Sequence, residues 1–213
     1  MIDSHQLKDL AAEMGCEVPL DRVELLLKYL DAMLLQNESV NLTAVRERES
    51  AVLFHALDSL SLGCSPLELG AGKCLDIGTG NGFPGVAVAC LFPEATVLLM
   101  DRTLKKLRAI ELALQQAGFD PKRIGTRQMD ASEAPAHGLE KTYQLITNRA
   151  VGTPREMGKL AKPLLAKGGE LFCWLAEDTE APPQLPGDLR LQGQMSYRLP
   201  APADRQRRLV CYR

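Results

Sequence analysis

The segment Cys74-Leu75-Asp76-Ile77-Gly78-Thr79-Gly80-Asn81-Gly82-Phe83-Pro84-Gly85 places the tightest limit on what this chain can fold into. A short apolar run, Lys73 to Ile77, has strand character. Four glycines then fall within eight residues, and a helix opens with proline in its first turn. Proline suits that place because the N–H it lacks would find no helical partner there. Glycines allow a sharp turn and a closer ligand approach than any β-carbon permits. Such a cradle serves two ligand classes. In dinucleotide folds it holds a pyrophosphate at the helix N-terminus. In methyltransferases it holds the methionine part of S-adenosylmethionine.

The acids around the loop separate these classes. Asp76, just before the first glycine, is placed to pair with the cationic amino group of a methionine moiety. Beside a pyrophosphate its charge would repel. Phe83-Pro84 after the third glycine also departs from the G-x-G-x-x-G dinucleotide pattern. No Gly-Lys-Ser/Thr is present, which excludes a Walker A loop. The next strand ends at Asp101, where an acid reaches the ribose hydroxyls of an adenosyl group in either class. Met129-Asp130-Ala131-Ser132-Glu133 follows the third strand, where an adenine edge would be read. Asp130 and Glu133 serve equally well as helix caps, so that segment alone does not decide.

The surrounding pattern gives the loop its setting. Before residue 72 the chain reads as helices: around Leu7 to Met14, Asp21 to Gln36 and Glu47 to Leu62. The polar stretch Asn37 to Arg46 joins the last two as a loop, and Gly63 to Gly72 reads as a linker. After residue 72 strands alternate with helices. Strands are expected at Lys73–Ile77, Thr96–Met100, Arg123–Gln128, Tyr143–Thr147 and Glu170–Leu175, and helices at Pro84–Leu91, Leu104–Ala117 and Pro154–Leu165. This alternation predicts βαβ units and a mostly parallel, doubly wound α/β sheet. The proline-rich stretch Glu180 to Gly187 reads as an exposed loop, and Leu209-Val210-Cys211 as an edge strand. The expected organisation is a helical extension over residues 1–65 and a cofactor-binding domain over residues 73–213.

Composition excludes little else. A length of 213 residues and an apolar share of 46% suit one soluble domain with its own core. No apolar run approaches a membrane span, and Met1 to His5 lacks signal-peptide character, so a cytoplasmic protein without membrane partners is expected. Cys16, Cys64, Cys74, Cys90, Cys173 and Cys211 are too scattered for a zinc knuckle or redox pair, so no metal is expected. The net charge of −2 neither supports nor excludes nucleic-acid binding. Arg102, Lys105, Lys106 and Arg108, with Arg205, Arg207 and Arg208 in the tail, suggest an RNA surface only if folding gathers them on one side.

Two polar clusters lie outside the loop. His55 and Asp58 are three apart in a helical stretch and share a face, as an exposed pair would too. Arg149, in Asn148-Arg149-Ala150 at the end of the fourth strand, points into the crevice where open α/β sheets bind ligands. It would hold the cofactor or a target phosphate there; a rim salt bridge is the plainer alternative.

Taken in order, Asn41-Leu42-Thr43-Ala44-Val45-Arg46, His55-Ala56-Leu57-Asp58-Ser59-Leu60, the glycine loop, Asn148-Arg149-Ala150 and Arg207-Arg208-Leu209-Val210 resemble a known family. It is the bacterial small-subunit ribosomal RNA guanine-N7 methyltransferases, also called glucose-inhibited division protein B. The resemblance spans about residues 20 to 212. It implies a class I S-adenosylmethionine-dependent methyltransferase fold with an N-terminal helical extension. It also implies methylation of a guanine in 16S ribosomal RNA, with the RNA or the small subunit as partner and a monomer as the working form. Family cofactor contacts fall on Gly78, Phe83, Arg149, Ala131 and Ser132, beside Asp76, Gly80 and Asp101 from the loop reading. Asn41, Arg46, His55 and Asp58 are expected on the target side.

Three positions depart from the family's usual pattern. Asn148 replaces a serine, Ser132 replaces a glutamate, and Trp174-Leu175-Ala176 stands where a lysine commonly ends the strand after Gly168-Gly169. Other activities remain open from the residues alone. These are methyl transfer to a small molecule or protein, nicotinamide-dependent oxidation, and RNA binding without catalysis.

Overall fold

A computed structural model of the chain describes residues 1–149 and 152–213; Ala150 of the Asn-Arg-Ala segment lies outside them. The N-terminal part runs through α1 (Ser4–Glu13), α2 (Leu20–Asn37), α3 (Arg48–Ala51), a π-helical turn (Val52–Leu57), α4 (Asp58–Leu60) and a 3₁₀ turn (Ser61–Cys64). Then follow β1 (Lys73–Ile77), α5 (Gly85–Leu91), β2 (Thr96–Asp101), α6 (Leu104–Ala117), β3 (Ile124–Gln128) and β4 (Tyr143–Arg149). The chain finishes with α7 (Pro154–Ala161), β5 (Leu165–Ala176), β6 (Gln184–Leu185), β7 (Leu189–Leu199) and β8 (Arg205–Tyr212).

The strands form one sheet in the order β3-β2-β1-β4-β5-β8-β7-β6. The five on the β3 side are parallel, and β8, β7 and β6 add on antiparallel. The strand order reverses between β1 and β4, where such sheets open a crevice at the strands' carboxyl ends. This is the expected α/β class.

Both faces of the sheet are covered. On one, the apolar stripe of α2 (Leu26, Leu30, Met33) shares a continuous core with Val86 of α5, Leu99 of β2 and Ile110 of α6. On the other, Met157 and Ala161 of α7 pack with Ile146, Leu171 and Val210. The helical extension is therefore tied into the sheet's own core. One tie is Tyr29, which is fully buried: its hydroxyl donates to the Asn81 carbonyl at 2.9 Å, and its ring meets Phe83 edge-on at 5.6 Å.

Five expectations need correction. The stretch Glu180–Gly187, expected as an exposed loop, contains β6, which pairs with β7 and buries Leu185. The helix expected over Glu47–Leu62 is interrupted by the π turn. The tail is not an edge strand: β8 lies between β5 and β7, with Leu209 opposite both Trp174 and Met195. The eleven residues of β7 were not anticipated, although Leu189, Leu191, Met195, Tyr197 and Leu199 alternate with polar residues as a half-covered strand requires. The helix from Pro154 stops at Ala161, and β5 begins at Leu165, ahead of Gly168-Gly169.

Candidate active site

The crevice at the switch point opens into a cavity of about 830 Å³. One half is lined by Gly78, Thr79, Gly80, Asp101, Met129, Asp130 and Ala131. Each element reaches it for a simple reason: the loop follows β1, Asp101 ends β2, and residues 129–131 follow β3.

The glycines divide the labour of this half. Gly78 and Gly80 have φ of +66° and +59°, which L side chains rarely adopt. A β-carbon on Gly80 would meet nothing nearer than the Gly78 carbonyl at 3.8 Å, so the space before it is open. Gly82 and Gly85 serve the protein instead. A β-carbon on Gly82 would lie 2.0 Å from the Tyr29 hydroxyl, and one on Gly85 2.3 Å from Leu99. Asp101 accepts from the Gly80 N–H at 3.1 Å and the Thr103 N–H at 2.8 Å, fixing its carboxylate on the cavity wall.

Asp76 is placed differently from the sequence expectation. It is buried beneath the loop and does not line the cavity. Its carboxylate accepts from the Thr79 hydroxyl (2.6 Å), the Thr147 hydroxyl (2.8 Å) and the Gly85 N–H (3.2 Å). Burial pushes its pKa up to about 6, against those three hydrogen bonds. Asp76 thus pins the loop to β4 and to the start of α5.

The other half of the cavity is lined by Leu42, Val45, Phe54, His55, Arg149, Arg205 and Arg207. His55 is buried in the π turn, stacked on the Phe83 ring with centroids 5.8 Å apart. Burial, then the nearby Arg149 guanidinium, push its pKa down to about 3. Arg149 Nη2 stands 3.4 Å from Nδ1, so Nδ1 accepts and the proton is assigned to Nε2, which donates to the Thr43 hydroxyl at 3.0 Å. Thr43 is in turn held by Asn37, whose side chain caps the loop through the Leu42 and Thr43 N–H groups and the Thr43 carbonyl.

Beneath this wall lies Asp58, fully buried. Its Oδ1 accepts from the Tyr197 hydroxyl (2.7 Å) and Arg207 Nε (3.1 Å); its Oδ2 accepts from Arg149 Nη1 and Arg207 Nη2 (both 3.1 Å). Its carbonyl accepts from the Trp174 indole at 2.8 Å. One carboxylate so joins the N-terminal extension to β4, β7 and β8. The π turn ends directly before Asp58, and π turns are frequent at functional sites.

The structure brings Gly78, Gly80, Phe83, Asp101, Ala131, His55 and Arg149 to the cavity wall, with Asp58 and Asp76 directly behind it. It does not bring Asn41, Arg46 or Ser132 there: all three are exposed, and Ser132 only turns back onto Asp130. Phe54, Tyr197 and the pairing of Arg207 with Asp58 were not foreseen, and Thr43 and Arg205 were named only within a motif and a basic cluster, without a place in the site. The departures from the family pattern find partners too. Asn148 donates to the Ile77 carbonyl at 3.3 Å, and Trp174 occupies the space under Asp58. Among the described residues no group of His, Cys, Asp or Glu is arranged to hold a metal, and no helix is long and apolar enough to cross a membrane.

A glycine cradle at the switch point of a mostly parallel sheet, with an acid at the tip of β2, defines an S-adenosylmethionine-dependent methyltransferase of class I. The fold agrees with solved structures. A predicted O-methyltransferase of Agrobacterium tumefaciens superposes with a TM-score of 0.56 at 19% identity, covering 69% of this chain and 76% of that one. A chain of a fibrillarin/Nop5p complex gives 0.55 at 17% identity, covering 80% and 86%. The chain belongs to the GidB family, rRNA small subunit methyltransferase G, which it matches over residues 22–195. Among relatives named ribosomal RNA small subunit methyltransferase G, that of Chromobacterium violaceum is 33% identical over 165 residues, covering 78% of this chain and 76% of the relative. That of Laribacter hongkongensis is 31% identical over 209 residues, covering 96% and 95%.

Proposed function

We propose that this protein transfers a methyl group to N7 of a guanine in 16S ribosomal RNA, acting as a cytoplasmic monomer on the RNA or the small subunit. Bound S-adenosylmethionine supplies the methyl group as an electrophilic sulfonium substituent. The open space before Gly80, with Gly78 beside it on the cavity wall, suits its methionine part, and the Asp101 carboxylate suits the ribose hydroxyls. The backbone beside Ala131, with Met129, suits the adenine. Asp76 acts at one remove, by fixing the loop's shape.

The observation that carries the choice of acceptor is the state of His55. It is the imidazole on the target wall, both nitrogens have partners, and its pKa is pushed down to about 3. Such a group is a poor general base. Guanine N7 carries no proton and requires none to be removed, so positioning and electrostatics suffice, and positioning alone can supply about 7–11 kcal/mol. Arg149, held on the cavity wall by Asp58, fixes where cofactor and base meet. Asn41 and Arg46, exposed in the loop beside the cavity, are assigned to grip the RNA outside it.

The test is transfer of labelled methyl to small-subunit RNA, followed by digestion to nucleosides. Label in 7-methylguanosine is expected, with a rate that falls steeply as salt rises, because phosphate contacts release counterions. Label in another nucleoside or in ribosomal protein would overturn the assignment.

A further inference from the structure

Three aromatic rings line the cavity, and two are fully engaged. Phe83 is buried between His55, stacked on one side, and Tyr29, edge-on at the other. The His55 ring is held by that stack and by hydrogen bonds at both nitrogens. Phe54 differs. Its backbone is fixed from behind, since its carbonyl accepts from Arg149 Nη1 at 2.9 Å. Its ring is half-buried on the wall and is covered by Arg205, whose guanidinium carbon lies 5.8 Å from the ring centroid. Arg205 begins β8, is exposed, and has no carboxylate partner among the described residues. A rigidly mounted aromatic face is thus covered by a displaceable cation.

We propose that Phe54 is the stacking platform for the target guanine, and that Arg205 occupies this face in the free protein until the base displaces it. This rests on the guanine-N7 reading above. In the transfer, N7 forms a bond to the methyl carbon as the carbon–sulfur bond breaks. The bonding pair goes to sulfur, no proton moves, and the positive charge passes to the purine. An aromatic face attracts a cation more than a neutral ring. Phe54 therefore holds the purine more tightly as transfer proceeds, and only such differential binding accelerates the chemical step. The ring that faces a guanidinium in the free protein faces a cationic purine in the product. Arg205, on a long stem, turns out toward the phosphates.

Two measurements on the intact protein test this. The first is single-turnover transfer to small-subunit RNA by wild type, Phe54→Leu and Phe54→Tyr, with S-adenosylmethionine affinity measured alongside. Base–aromatic stacking is worth about 1–3 kcal/mol, so Phe54→Leu is expected to slow transfer at saturating RNA roughly 5- to 150-fold with cofactor affinity unchanged. Phe54→Tyr restores most of the rate. The second is binding of the nucleosides 7-methylguanosine and guanosine to the S-adenosylhomocysteine complex. Wild type favours the cationic nucleoside and Phe54→Leu does not. Arg205→Gln, a surface change, strengthens 7-methylguanosine binding about 2- to 5-fold by removing the competing cation. Wild-type rate in Phe54→Leu, a parallel loss of cofactor affinity, or no preference for 7-methylguanosine in wild type each overturns the platform. Absence of 7-methylguanosine from wild-type product overturns the guanine-N7 reading itself.

Discussion

The two halves of the cavity are assembled by contacts of very different reach. In the cofactor half, Asp76 meets Thr79 and Gly85, three and nine residues away, and Asp101 meets Gly80 across 21. In the target half, Asp58 reaches Arg149, Tyr197 and Arg207 across 91, 139 and 149 residues. The first half is built mainly along β1, β2 and β3, with Thr147 of β4 reaching Asp76 across 71 residues. The second exists only when the N-terminal extension, the parallel sheet and the antiparallel β7–β8 pair meet. Contacts of short reach thus dominate one half of the cavity, and contacts of long reach build the other.

That contrast is open to direct attack, most strongly at Asp58. Removing one partner of a buried ion pair typically costs about 3–5 kcal/mol, because the remaining charge is left uncompensated. Asp58→Ala strands two arginines, and denaturant unfolding is expected to show a loss of that size. A loss well under 1 kcal/mol would mean the halves cohere by other means.

A smaller effect separates two glycines of the same loop. Gly82→Ala drives a β-carbon against Tyr29, an overpacking worth about 1–3 kcal/mol in thermal or chemical unfolding. Gly80→Ala meets open space and should instead weaken cofactor binding more than it weakens the fold. Equal effects of the two on both readouts would erase the distinction between packing and ligand glycines.

The buried imidazole gives a pH signature. His55 falls from an ordinary value of 6.5 to about 3 in the folded state, so the stability tied to it is intact above pH 6.5. It is lost as pH drops from there toward 3, at up to about 1.4 kcal/mol per pH unit. Asp76 works the other way. Its pKa rises from 3.8 to about 6, so its contribution is present below pH 3.8 and is lost as pH rises through 6. His55→Gln is expected to flatten the acid-side decline in an unfolding series between pH 6.5 and 4, and an unchanged slope would count against a buried neutral His55.

The change that disturbs the fold least is confined to the cofactor half. Asp101→Asn keeps an acceptor for one of the two loop N–H groups but removes the charge. Hydrogen bonds to charged groups are worth about 1.5–3 kcal/mol, so S-adenosylmethionine affinity should fall roughly tenfold or more with little change in melting temperature.

The same difference in reach explains what the sequence made legible. The glycine loop, Asp101 and the alternation of strands with helices follow from short spacings, and the strand boundaries of β1 and the whole of α6 are placed as expected. The helical pattern of residues 47–62 was legible, but the π turn within it was not, because i→i+4 spacing in the sequence carries no mark of a widened turn. Asp58 read equally well as a solvated neighbour of His55, since its partners lie on strands up to 149 residues away. Asp76 was assigned its charge but not its direction: Thr147, from β4, turns it inward. Tyr197 and Arg205 belong to a region whose strand pairing depends on β8 inserting beside β5, which no local pattern states.

The most direct test of the division is calorimetric titration of S-adenosylmethionine into wild type, Gly80→Val and Phe54→Leu, with circular dichroism establishing that each is folded. The account predicts binding by wild type, its loss in Gly80→Val, and unchanged affinity in Phe54→Leu. Undiminished binding by Gly80→Val, or a loss in Phe54→Leu as large as in Gly80→Val, would contradict it.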